Sequence, residues 1–217
     1  MHIRGSRFLS LVLMALACFV TAAQAPSGEN AVPVFGRDTV LVYKIQHLDY
    51  SADFVVRIAQ FLPDRYLEWE DELSQGTVFM PGADIEAARG YVNSNLFKSG
   101  SDTRGRSATT LWLSGQAFRD LKTNKKLKCM INGTMGVFTY EGDATISVDV
   151  NRTARLLPVI RVMDDRKEER WFLDQEDNPL MLSHRFRKFS QTLASITTDR
   201  ANTLRWIKGR KLDNPPR

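Results

Sequence analysis

ATISVDV, residues Ala144–Val150, decides how the chain folds. Ala144, Ile146, Val148 and Val150 fall on one side of an extended strand, and Thr145, Ser147 and Asp149 on the other. A period of two is the mark of a strand with one buried and one wet face. The same alternation recurs on both sides of it. In TVLVYKIQH (39–47), Leu41, Tyr43 and Ile45 share a face. RYLEWEDEL (65–73) puts Leu67 and Trp69 on one face and Glu68 and Glu70 on the other. DFVVRIAQF, LKCMI, VFTYE, LLPVIRVM, RWFL, LMLSHRF and TLASI continue the series. Turn residues separate them: Asn132-Gly133, Glu141-Gly142-Asp143, Asp164-Asp165 and Asn178-Pro179. Pro158, inside LLPVIRV, predicts a sheet edge or a bulge there.

Two stretches break the alternation. PGADIEAARGYVNSNLF (81–97) spaces Ile85, Ala88, Val92 and Leu96 at helical intervals, with Asp84 as a cap, against a cost of about 1 kcal/mol for Gly90. LSGQAFRDLK (113–122) predicts one short helix capped by Ser114. Between them, KSGSDTRGR (98–106) reads as a polar, mobile loop. The expected fold is mainly β: a curved antiparallel sheet of about ten strands, rolled into a half-barrel, barrel or sandwich, with one or two short helices.

Residues 1–25 read as a signal peptide. Arg4 and Arg7 precede the uncharged run Phe8–Val20, and small residues follow. Cleavage fits after Ala25 or Ala23; an uncleaved anchor and lipidation at Cys18 are the rival readings. Residues 26–37 form an extended leader, 38–198 one β-rich domain, and 199–217 a basic tail. Cleavage leaves Cys129 without a partner cysteine, which fits a bacterial periplasmic or secreted protein better than a disulfide-rich eukaryotic one. Alternation with Leu127 and Ile131 makes Cys129 a small buried hydrophobe. The sequons at Asn132 and Asn151 are then coincidental. The formal charge of +5 falls to 30 − 2 − 25 = +3 once Arg4 and Arg7 are removed, too mild for a nucleic-acid binder, so no nucleic-acid partner is expected.

The acidic run DQEDNP (174–179) looks like a metal site. Counted from Asp174 as an EF-hand, however, its sixth position is Pro179 and its twelfth Arg185, where that loop needs Gly and Glu. Flanked by RWFL and LMLSHRF, it reads as a hairpin turn. His184 shares a face with Leu182 and Phe186 and is either a core histidine or a ligand contact. With His47 it makes the histidine complement of the mature chain. Neither paired cysteines, HExxH, a G-x-S-x-G elbow nor a phosphate loop is present, so no metal, cofactor or catalytic residue is assigned. Trp69, Trp171, His184 and Phe186 are the candidate ligand-binding residues, filling the core or lining an apolar cavity. Arg205, Trp206, Lys208, Arg210 and Lys211 in the tail are candidates for contact with an anionic membrane surface or an envelope protein.

The order of a signal peptide, an early hydrophobic hairpin, a middle helical insertion, TTLWLSGQAFRDLK, LLPVIRV and a closing WFLDQEDNPLML hairpin resembles a group of exported bacterial β-rich domains. It is also loosely similar to the curved, incompletely closed sheets of Lol-type lipoprotein carriers. The resemblance implies a curved sheet that holds an acyl chain or another apolar ligand on its concave face, with the helix near 84–96 as a lid. It transfers no catalytic residue. The expected function is a non-catalytic binding module for a lipid-like or apolar small molecule. An assembly role through strand edges and the basic tail, and a hydrolase built on His184, are the alternatives.

Overall fold

The computed structural model describes residues 32–93, 96–100 and 102–198. The segment read as a signal peptide and the basic tail, with Arg205, Trp206, Lys208, Arg210 and Lys211, lie outside the described residues. The described chain forms one sheet of thirteen strands with two helices. In chain order the elements are β1 (Val40–His47), β2 (Tyr50–Gln60), β3 (Arg65–Glu70), β4 (Gln75–Met80), α1 (Gly82–Ala87), β5 (Gly90–Tyr91), β6 (Asp102–Arg104) and β7 (Ala108–Thr109). Then come α2 (Gly115–Asn124), β8 (Lys126–Ile131), β9 (Thr134–Val150), β10 (Thr153–Asp164), β11 (Glu169–Leu173), β12 (Met181–Phe186) and β13 (Phe189–Thr197).

The long pairings are antiparallel and mostly between sequence neighbours, as the alternation predicts. The β9–β10 hairpin runs from Thr153↔Val150 to Asp164↔Phe138. Ala144 to Val150 keep their assigned faces: Val148 and Val150 are buried, while Thr145, Ser147 and Asp149 are exposed. Asn132 and Gly133, at φ of 51° and 79°, turn β8 into β9. Both central residues of such a tight hairpin turn must take left-handed backbone, which Asn and Gly tolerate. Thirteen strands do not lie flat. β13 pairs antiparallel with β1 and β12, and near its end it also pairs parallel with β9 through Ser195↔Asp149 and Ile196↔Val150. That contact bends β9 to β13 into a ring, with β1 to β4 and β6 as one arm and β8, β5 and β7 as the other.

A single core cluster fills the inner face. It draws Leu41 and Leu67 from one arm, Phe138, Val159 and Phe172 from the ring, and Ala117, Phe118 and Leu121 from α2. Aromatic rings meet edge to face within it: Phe97 against Phe54 and Trp69, and Tyr91 against Phe138 and Phe172, at centroid separations of 5.0–6.0 Å.

α2 begins as expected, with the Ser114 side chain accepting from the Ala117 N–H at 3.1 Å. The expected helix over 81–97 is corrected. α1 ends at Ala87, and Gly90–Tyr91 becomes a short strand between β7 and β8. Gly90 explains the change. A Cβ there would sit 2.8 Å from the Ser107 carbonyl oxygen and 2.9 Å from the Ala108 Cβ, so the glycine is what allows three strands to approach this closely. Asp84 does not cap the helix; its carboxylate accepts from the Ser107 N–H. The polar stretch 98–106 contains β6, which pairs parallel with β4. Pro158 occupies neither an outer edge strand nor a bulge. It lies where β10 runs past the end of β11, and its carbonyl accepts from Asp174 N–H at 2.9 Å.

Candidate functional site

Arg65 opens β3, and the parity that turns Leu67 and Trp69 inward turns Arg65 inward with them. It is 0 % exposed. A buried guanidinium normally faces a carboxylate. Arg65 faces rings instead: its Cζ lies 4.8 Å from the centre of Phe61 and 4.5 Å from that of Trp112. Its one hydrogen bond among the described residues is long, 3.4 Å from Nη2 to the Asp177 carbonyl oxygen. Nε and Nη1 have no partner among the described residues. Burial lowers its pKa to about 9, so the group stays cationic at neutral pH.

Arg65 lines a cleft of about 470 Å³, within the roughly 300–1,000 Å³ range of small-molecule sites. Five segments build the walls: the stretch 32–35, the β2–β3 turn, α1, the start of α2 and the β11–β12 turn. Phe35 stacks on Phe61 at 6.0 Å, and Ile85, Leu113 and Pro179 continue the apolar surface. Val34 and Leu62 stand at the cleft 86 % and 67 % exposed. At the mouth, Arg119 bridges Glu86 and Glu176 at 2.6 and 2.8 Å.

The turn DQEDNP is the hairpin connection that its flanks predict, and it forms one cleft wall. Its polar groups disperse to separate partners. Asp174 pairs with Lys122, Glu176 with Arg119, and buried Asn178 accepts from the Trp112 indole N–H at 2.7 Å. That last bond, with Leu113 N–H donating to the Pro179 carbonyl, fixes the ring that covers Arg65.

A second buried cluster surrounds His184. Arg170, 0 % exposed, pairs with Asp164 at 3.0 Å and with Glu168, and its Nε donates to Asn93 at 3.1 Å. His184 Nε2 lies 3.0 Å from Glu168. Burial, reinforced by the Arg170 charge and opposed by the Glu168 hydrogen bond, pushes the His184 pKa down to about 4, so the imidazole is neutral at pH 7. The cluster is internally satisfied.

The four candidate residues from the sequence do not converge, and none lines the cleft. Trp69 is buried in the core against Phe54 and Phe97. Trp171 turns to the face opposite Arg170 and Phe172, under the Arg185 guanidinium. Phe186 is half-buried beside Arg187. Arg65, Phe61 and Trp112 escape a search for catalytic or metal motifs. The readable signal was an arginine in phase with the inward residues of its strand.

No protein-family model matches the sequence, no curated protein is similar to it, and no solved structure matches its fold. Among the described residues no helix is long and apolar enough to cross a membrane, and no group of three or more His, Cys, Asp or Glu is placed to hold a metal ion.

Proposed function

We propose that the protein is a non-catalytic binding module, exported to the bacterial envelope, that holds a lipid-like or apolar small molecule. The observation that carries this reading is the cleft: aromatic and aliphatic walls, apolar residues exposed at its mouth, and a volume suited to a small ligand. The binding place is this cleft rather than the concave face of the sheet, where core side chains already interlock. The segment 32–35 forms one wall, so the stretch that joins the export signal to the domain is part of the site. The described residues lining the cleft include no Ser, Thr, Cys or His.

Native mass spectrometry of the mature protein, purified from its own envelope, tests the reading against the denatured mass. An added mass that disappears on denaturation and extracts into organic solvent is expected. Ile85→Asp, which puts a charge in the apolar wall, should remove it. A bare mass, together with failure to bind an uncharged apolar fluorophore, overturns the proposal.

A further inference from the structure

We propose that the ligand of this cleft carries a carboxylate on an apolar body, and that Arg65 holds the carboxylate. The inference rests on the binding-module reading and specifies its chemistry. The other fully buried arginine among the described residues is satisfied completely: Arg170 has two carboxylates and an amide. Arg65 is buried to the same degree and has one long bond to a carbonyl. Phe61 and Trp112 stack near the guanidinium and attract its charge through their faces. Stacking leaves the in-plane N–H donors for another partner, and Nε and Nη1 are unused among the described residues. Nε and Nη1 lie on different edges of the guanidinium, and either one forms, with the second Nη2 hydrogen, the planar fork that matches a carboxylate with two parallel bonds.

The charge balance of the lining argues against more than one negative charge on the ligand. Arg65 and Arg119 are the basic residues lining the cleft, and Arg119 is held by Glu86 and Glu176. That one cation offsets only one of the two carboxylates, so the mouth keeps a net negative charge, to which Asp177 in the lining adds. A doubly charged phosphate would find one cation free; a carboxylate is matched by it. The apolar body then lies along Phe35, Ile85 and Leu113 towards exposed Val34 and Leu62.

The test uses the mature protein loaded with an uncharged apolar fluorophore and titrated at neutral pH with dodecanoate, dodecanol and dodecyl phosphate. Dodecanoate should displace the fluorophore at about tenfold lower concentration than dodecanol, the worth of a charge-assisted hydrogen bond. In Arg65→Met the two should become equal. In Arg65→Lys, which keeps the charge and loses the fork, most of the acid's advantage should go. Equal displacement by acid and alcohol from the unaltered protein overturns the Arg65 proposal while leaving the apolar cleft standing. Stronger displacement by dodecyl phosphate overturns the choice of carboxylate. A fluorophore that never binds removes the cleft reading and this proposal together. The acid–alcohol comparison on the unaltered protein decides the matter even if a variant fails to fold.

Discussion

Arg65 and Arg170 are both 0 % exposed, and both enter the interior because strand parity points them there. The donors of Arg170 are all taken: its fork meets Asp164, Glu168 and Asn93. Arg65 is held between aromatic faces with two donors idle among the described residues. A buried ion pair and a buried lone cation answer mutation oppositely. Removing one member of a pair strands the others, whereas removing a lone cation ends a desolvation penalty. The contrast separates a residue that holds the fold from one whose donors the fold leaves unused.

The largest expected effect is that of Arg170→Met. It leaves Asp164 and Glu168 buried without their cation and should cost about 3–5 kcal/mol in urea unfolding. A loss below about 1 kcal/mol would erase the distinction between the two arginines. Next comes pH. The His184 pKa is depressed from its ordinary 6.5 to about 4, so the unfolded chain takes up the proton first. The stability this gives is fully present above pH 6.5 and drains away as pH falls towards about 4. At about pH 5 the loss should be on the order of 2 kcal/mol. His184→Gln should flatten that part of the stability profile, and an unchanged slope would place its origin elsewhere. Trp112→Phe keeps a ring over Arg65 and removes the donor to Asn178. It should cost about 1–2 kcal/mol and loosen the turn wall, visible as faster amide exchange at Asn178 and Leu113. The smallest change is expected from Arg65→Met, within about 1 kcal/mol of the unaltered protein or more stable than it. A loss as large as that of Arg170→Met would show that Arg65 holds the fold after all.

Local chemistry was legible in the sequence; encounters between distant segments were not. Alternation in Ala144–Val150, the Asn132-Gly133 turn and the Ser114 cap are each decided within a few residues, and all three appear in the structure. The apolar spacing after Ala87 suggested more helix because Gly90 was read as a weak helix residue. Its reason lies in Ser107 and Ala108, seventeen and eighteen residues on. Ring closure depends on the ends of β9 and β13 meeting, which no pattern within either strand announces. The site follows the same rule. Trp69 and Trp171 were chosen for residue type, but a cleft is made by what the chain brings beside it. Phe61, Trp112 and Asp177 reach Arg65 from three separate segments.

The pairing of β1 with β13 has a consequence for the order of events. Val40 meets Thr197 across 197 − 40 = 157 positions. Until β13 is made, β1 has β2 on one side and an unfilled row of backbone donors and acceptors on the other. Pairings this remote in sequence carry a high loop-closure cost and form slowly. Partly emerged chains therefore lack the strand that joins the two arms, and the ring locks only when the last segment arrives.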